Sequence, residues 1–227
     1  MKTTKSILLL SIAIFASTTV RAQFVKDVGI KVGATISNIR LTDVTPVNVA
    51  GQLRYLDFVQ GNVVNPSVSL FANLLNIEHF SLQTDLTYLR KGASKTYEVY
   101  VTTEDNPDGP GTLMSYTSEF SLQYLEFAMM AQPRQSLGEI ELYAEVGPTA
   151  SYLLTAANFA PISDLSRFQV GYTIGVGADL GRVLNSNLFI EIRYLGDFRY
   201  FYDHPHAKMW HRSWMFCFGT TLSSQGE

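Results

Sequence analysis

The chain has 227 residues and a formal charge of −3, and only 16% of its residues are charged, against roughly 25% in soluble domains. A weakly acidic chain argues against a nucleic-acid partner, which requires an excess of Lys and Arg, and the length favours one domain. The 12 Tyr and 14 Phe residues indicate instead that the folded chain faces apolar surroundings over a wide area.

The N-terminal segment has the three parts of a secretory signal. Lys2 and Lys5 give the chain a basic start, and an apolar stretch follows over residues 7–15. Val20-Arg21-Ala22 then places short side chains at the positions that signal peptidase reads before Gln23. The apolar stretch is too short to anchor the chain in a bilayer. We therefore expect a cleaved signal peptide over residues 1–22 and one mature domain over residues 23–227, with 14 basic and 20 acidic residues.

Beyond the signal, the sequence alternates between apolar and polar residues. No run of eighteen apolar residues follows, so any membrane crossing must use strands. A period of two places the apolar and polar residues of each strand on opposite faces. In the segment over residues 120–129, the apolar residues move from even to odd positions after Leu122. This change predicts a β-bulge near Gln123. The eight alternating segments span about residues 28–37, 65–74, 79–91, 120–129, 139–151, 168–180, 188–201 and 210–222.

The connections between these segments alternate in length. An up-and-down membrane barrel with a periplasmic N-terminus has short turns inside and long loops outside. The sequence therefore predicts an all-β fold in the outer membrane: an eight-stranded antiparallel up-and-down transmembrane β-barrel with short periplasmic turns and four longer extracellular loops. Short links fall near residues 75–78, 133–138 and 182–187, and longer ones near 40–62, 92–116, 154–167 and 201–210.

Several strand motifs occur in order along the chain. They are Gly29-Ile30-Lys31-Val32-Gly33-Ala34-Thr35-Ile36-Ser37-Asn38, Leu82-Gln83-Thr84-Asp85-Leu86-Thr87-Tyr88 with Lys91-Gly92, Tyr124-Leu125-Glu126, Gly175-Val176-Gly177-Ala178-Asp179-Leu180 and Glu191-Ile192-Arg193-Tyr194. Together they resemble the PorT-like outer-membrane β-barrel proteins. The resemblance implies an eight-stranded barrel that is inserted by the barrel-assembly machinery. The family's namesake belongs to a secretion apparatus, but such membership does not follow from fold.

Charged residues lie on the polar faces of the predicted strands. In an eight-stranded barrel they would point into a lumen barely wide enough for side chains. We expect them to fill it and to pair with one another, because isolated buried ions are costly. A narrow proton or ion path is the alternative, and a general diffusion porin is not expected. The predicted lumen charge network comprises Lys31, Asp85, Glu119, Glu141, Glu145, Asp179, Glu191, Arg193, Asp197 and Arg199.

The predicted loop before the last strand carries side chains of metal-binding type. His204 and His206 are weak metal candidates, since they and the nearby His211 show no regular ligand spacing. We expect no metal and no other cofactor. Asp203, His206 and Ser213 could be given acid–base or nucleophilic roles, but nothing in the sequence positions them. We expect the protein not to be an enzyme.

Three functions remain open from the sequence. The favoured one is a plugged, surface-exposed structural or binding barrel whose long loops meet a ligand or a protein partner. The second is a subunit of an envelope secretion or assembly machine. The third is a soluble periplasmic lipocalin-like barrel that carries an apolar ligand, which requires the apolar faces to point inward. The expected partners are outer-membrane lipid, the barrel-assembly machinery and an unidentified loop partner.

Overall fold

The computed structural model describes most of the chain after the predicted signal peptide. That peptide, the cleavage position before Gln23, and His206 lie outside the described residues. The described residues are 25–42, 47–49, 52–54, 61–101, 112–157, 165–184, 186–204 and 207–222.

Strands account for nearly all of these residues. No helix among the described residues is long and apolar enough to cross a bilayer. The described elements are β1 (Asp27–Thr42), β2 (Val47–Val49), β3 (Gln52–Arg54), β4 (Val63–Ile77), β5 (Phe80–Val101), β6 (Thr112–Leu137), β7 (Ile140–Ala157), β8 (Phe168–Asp179), α1 (Gly181–Leu184), β9 (Leu188–Asp197), β10 (Tyr202–His204) and β11 (Ala207–Thr221).

Eight of the strands close into a ring. Their order is β1-β4-β5-β6-β7-β8-β9-β11, and each neighbouring pair is antiparallel. Pairing of β1 with β11, from Gly29 with Thr221 to Thr42 with Lys208, completes the ring. Strand β10 pairs with the start of β11, and β2 and β3 form a separate hairpin. The predicted eight-stranded up-and-down barrel is confirmed, and closure removes the free edges of an open sheet.

The ring has its apolar residues outside and its charged residues inside. On β1, Lys31 and Thr35 are fully buried, whereas Ile30 and Val32 are 40% and 52% exposed. The same alternation places Ile190 and Ile192 outside on β9. A lipocalin-like carrier requires the opposite orientation, so this alternative, left open by the sequence, is not favoured. An apolar outer band is the arrangement that suits lipid.

Connections differ between the two ends of the ring. At one end, short turns join β4 to β5 and β6 to β7, and α1 lies between β8 and β9. Gly138, in the β6–β7 turn, has a φ of +67°, a conformation that glycine adopts without steric cost. The longer connections lie at the other end. There β5 and β6 continue past the ring as a two-stranded ribbon, residues 95–101 paired with 112–118.

The predicted bulge near Gln123 lies on a different strand. The register of β6 with β7 does shift at Gln123, but the extra residue is Leu154 of β7. Strand β6 keeps its alternation, with Leu122 and Tyr124 both buried. The change of apolar parity in β6 therefore marks the point where apolar side chains enter the lumen.

Candidate functional site

The middle of the lumen holds five charged side chains, termed here the central cluster: Lys31, Asp85, Glu145, Glu191 and Arg193. Each is at most 2% exposed. Lys31 Nζ lies 3.0 Å from Asp85 Oδ2 and 2.9 Å from Glu191 Oε2. Arg193 forms ion pairs with all three carboxylates, at 2.6 Å to Asp85 and Glu145 and 2.7 Å to Glu191. The cluster thereby links four strands of the ring, β1, β5, β7 and β9.

Neutral donors complete the central cluster. The Tyr143 hydroxyl donates to Glu191 Oε1 over 2.8 Å. Gln83 Nε2 donates to Asp85 Oδ1 over 2.7 Å, and Gln132 Nε2 donates to Glu145 Oε2 over 3.1 Å. Such donors offset part of the cost of burying a carboxylate. The Tyr143 ring lies against the position that a side chain at Gly177 would occupy, so this glycine makes room for the donor.

A second group of charges, the loop-side cluster, lies nearer the long connections. It consists of Lys91, Glu126 and Asp197. Lys91 Nζ is 3.2 Å from Glu126 Oε2 and 3.5 Å from Asp197 Oδ1. The Ser151 hydroxyl donates to Glu126 over 2.7 Å, and the backbone N–H of His211 donates to Asp197 over 3.2 Å. The predicted network contains neither Lys91 nor Glu126. The sequence could have identified both residues, because each lies at a position of its strand where the alternating pattern turns side chains inward.

Apolar side chains fill the lumen beyond the loop-side cluster. Leu165 and Phe201 come from the long connections and pack among strand residues. The Phe201 ring stacks on the imidazole of His211 with centroids 4.0 Å apart, and Tyr124 Oη lies 3.2 Å from His211 Nε2. This apolar plug comprises Ile39, Leu89, Ala93, Leu122, Tyr124, Leu153, Leu165, Phe201 and Met209.

The short-turn end of the barrel has a polar recess. A cavity of about 880 Å³ is lined there by Arg134, Glu139, Glu141 and Asp179 among others. Arg134 Nη1 pairs with Glu141 Oε1 at 2.9 Å, and Asp179 Oδ1 accepts a hydrogen bond from the backbone N–H of Gly181 over 2.7 Å. The structure thus places Glu141 and Asp179 in a partly exposed recess, apart from the two buried clusters.

Two residues of the predicted network lie away from the lumen interior. Arg199 is exposed, because β9 ends at Asp197 and the alternation does not continue beyond it. Glu119 is exposed on β6 next to the ribbon. Both corrections have the same origin, since a period of two in sequence does not show where a strand leaves the ring.

The other candidate residues are not brought together. His204 ends β10, and His206 lies outside the described residues. Asp203 is exposed whereas Ser213 is 1% exposed inside the barrel, so these two do not form a common site. Within the described part of the chain, no group of three His, Cys, Asp or Glu side chains is arranged to hold a metal ion.

Comparison with known proteins assigns the family. Residues 21–196 match the model of the outer membrane protein beta-barrel domain. The chain belongs to this family. It is therefore an outer-membrane β-barrel protein. No curated protein matches the chain.

Solved structures provide further likenesses at low identity. The Ail protein of Yersinia pestis, in complex with the heparin analogue sucrose octasulfate, is 13% identical, with 86% of this chain and 98% of that chain covered and a TM-score of 0.36. AlkL is 13% identical, with 88% and 92% covered and a TM-score of 0.43. The outer membrane protease OmpT of Escherichia coli is 10% identical, with 86% and 96% covered and a TM-score of 0.43.

Proposed function

We propose that this protein is a sealed recognition barrel: a structural or binding protein of the cell surface whose long connections contact a ligand or a protein partner. The observation that carries the proposal is the filling of the lumen. Two buried charge clusters and the apolar plug follow one another along the barrel axis. A barrel of eight strands has room for little more than such side chains, which disfavours a conducting pore.

The long connections are the natural contact surface of such a barrel. Loops on a rigid scaffold commonly carry recognition. Here the connections and the barrel are joined in two ways. Leu165 and Phe201 of the connections pack into the apolar plug, and β5 and β6 continue out of the ring as the ribbon. We infer that this end faces the cell exterior and that the short turns face the periplasm, as in barrels with a periplasmic N-terminus.

Narrower assignments are also part of the proposal. The motifs that include Lys31, Asp85 and Arg193 support a PorT-like member of the family, inserted by the barrel-assembly machinery after removal of residues 1–22. No contact among the described residues favours a secretion subunit over a recognition barrel. We propose no enzymatic role, since Asp203 and Ser213 do not share a site.

Surface labelling tests the orientation. Cys217 is the only cysteine of the sequence and is 2% exposed, so it gives little background reaction. We expect Ser115→Cys, on the ribbon, to react with a membrane-impermeant maleimide on intact cells. The matched variant Glu139→Cys, in the β6–β7 turn, should react only after the outer membrane is opened. The reverse pattern would place the short turns outside and overturn the proposed orientation.

Electrical recording tests the seal. We expect the purified protein to produce no steady conductance in planar lipid bilayers, while a general diffusion porin in the same bilayers serves as positive control. The folded state of the added protein is checked by its faster migration on a gel without boiling. A reproducible conductance from the folded protein would show that the lumen conducts and would contradict a sealed barrel.

A further inference from the structure

The outward-facing residues of β11 change in chemistry toward the long connections. Phe218, Phe216 and Trp214 are 40 to 65% exposed and lie on one face of the strand. The next two residues on the same face are Arg212 and Trp210, while the residues between them point into the lumen and are buried. Charged side chains are costly in the apolar band but not at its edges, where tryptophan is frequent. The change therefore marks the level of the lipid headgroups.

Two arginines lie at this level on neighbouring strands. Arg40 of β1 is exposed and is directly opposite Trp210 of β11. Arg212 is two positions further along β11, and its guanidinium carbon lies 4.5 Å from the centroid of the Trp210 ring. Opposite and diagonal neighbours on one face are within reach of long side chains, and the charges of both arginines act on the hydroxyl of Tyr194. Arg40, Trp210 and Arg212 therefore form one group, termed here the outer arginine patch.

The charges of the outer arginine patch are not balanced by carboxylates. Among the described residues, no carboxylate forms an ion pair with Arg40 or Arg212. On the β1 side, Arg212 is opposite the uncharged Asn38. Asp203 lies on the same face, but it is opposite a different cation, Lys208. The described part of the chain thus leaves two guanidinium charges without a carboxylate partner at the headgroup level.

Two hydrogen-bond donors of the patch also lack an acceptor. Trp210 Nε1 and Arg212 Nε are buried, and neither has a hydrogen-bond partner among the described residues. Buried donors left in this way are costly. Indole and guanidinium groups have no acceptor atoms of their own, so the patch cannot satisfy itself. A ligand that brings both negative charge and acceptor oxygens would supply what the patch lacks.

Aromatic rings and free space adjoin the patch. The ring centroid of Tyr194 lies 5.2 Å from that of Trp214 and 6.2 Å from that of Tyr172. Such rings are enriched where a membrane meets water. A cavity of about 200 Å³ borders the indole of Trp210, so a headgroup has room beside it. The lining residues of this cavity are Asp197, Phe198, Arg199, Tyr200 and Trp210.

We propose that the outer arginine patch binds the phosphate group of a membrane lipid, through the guanidinium groups of Arg40 and Arg212 and the indole N–H of Trp210. Guanidinium groups match phosphate oxygens in charge and in geometry, and basic clusters at a membrane surface commonly hold lipid headgroups. The apolar band next to the patch gives the acyl chains of such a lipid a surface. The choice of the outer leaflet rests on the proposed orientation, whereas the binding itself does not.

Tryptophan fluorescence tests this site, because Trp210 and Trp214 are the only tryptophans of the sequence and both lie in or beside the patch. The folded protein in uncharged maltoside micelles is titrated with lipid A, with lipid A stripped of its phosphates, or with sodium phosphate. We expect a saturable change of emission with intact lipid A alone. Equal responses to the two lipids would overturn the proposal. A response to sodium phosphate at the same concentrations would assign a free anion and would also overturn it.

Variants of the patch locate the binding. We expect Arg40→Gln and Arg212→Gln each to weaken the affinity for lipid A about tenfold, and Trp210→Phe, which keeps Trp214 as reporter, to weaken it less. The matched control is Arg90→Gln, which removes an arginine of partial exposure from β5 and should leave the affinity unchanged. Unchanged affinity in both patch variants, or an equal loss in Arg90→Gln, would overturn the proposal. The titration in micelles is independent of orientation, so its failure is distinct from a failure of the surface labelling.

Discussion

The central cluster and the apolar plug fill the same lumen by opposite chemistry. The central cluster is built by strands alone, and each charged side chain has at least one partner on another strand of the ring. The plug also recruits Leu165 and Phe201 from the connections. The charged part therefore holds the ring together across its width, while the apolar part fastens the connections to the ring.

The two regions should also respond differently to substitution. Removing one ion from a closed network leaves uncompensated buried charge, whereas removing an apolar side chain leaves a cavity.

Loss of Arg193 should have the largest effect. In Arg193→Leu the three carboxylates of the central cluster keep only Lys31, and we expect the free energy of unfolding to fall by about 4 kcal/mol. Urea unfolding in detergent micelles, followed by tryptophan fluorescence, measures the change. Arg199→Leu is the matched control: its exposed side chain predicts a change within about 0.5 kcal/mol. Equal losses would mean that the ion pairs of the cluster contribute no more than a surface charge.

A cavity in the apolar plug should cost somewhat less. Leu122 is fully buried, and we expect Leu122→Ala to lower the free energy of unfolding by about 3 kcal/mol through lost burial and an unfilled space. Leu125→Ala on the same strand is the control, because Leu125 is 39% exposed on the outer face, where lipid can fill the gap. If Leu125→Ala were the more damaging change, the assignment of faces in β6 would be wrong.

Crowding at Gly177 should disturb the central cluster indirectly. A methyl group there meets the Tyr143 ring, which must move and weaken its hydrogen bond to Glu191. We expect Gly177→Ala to cost about 2 kcal/mol. The same substitution in a Tyr143→Leu background should cost much less, since the ring is absent. An unchanged cost in the double variant would assign the effect to the backbone of β8.

The turn at Gly138 should show the smallest effect. This residue has a positive φ, and nothing lies within 4 Å of an added Cβ, so Gly138→Ala adds only backbone strain, about 1 kcal/mol. Gly138→Asn should recover part of the loss, because asparagine tolerates this conformation. A much larger loss would show that the turn contacts the rest of the barrel.

Alternation in the sequence was sufficient to predict that the charged side chains of the central cluster enter the lumen. Lys31, Asp85 and Arg193 follow a period of two, and a closed ring of eight strands leaves room inside for little more than side chains, among which buried charges must be paired. Which charged side chains pair with one another depends on how far each strand is shifted along its neighbours, and no local sequence pattern shows that shift. Lys31 contacts Glu191, which is 160 positions away in the sequence.

The position of a side chain along the barrel axis was harder to predict than whether it points into the lumen or toward lipid. Leu122 was interpreted as part of an outer apolar stripe interrupted by a bulge, because apolar residues of the plug and of the lipid face are alike in sequence. Arg199 was assigned to the lumen because the alternation runs past the end of β9. Both errors arise where strands meet the long connections and the interior changes from charged to apolar.

The ribbon extends two strands beyond their pairing with the rest of the ring. Its seven residues from 95 to 101 on β5, at about 3.3 Å each, carry Val101 and Thr112 some 20 Å past Ser94, where Gly61 makes the last bridge to this strand. A partner that binds at the described tip of the ribbon is therefore some 20 Å along the strands from the nearest contact with the ring, whereas a partner that binds at Ser94 also meets the neighbouring connection at Gly61.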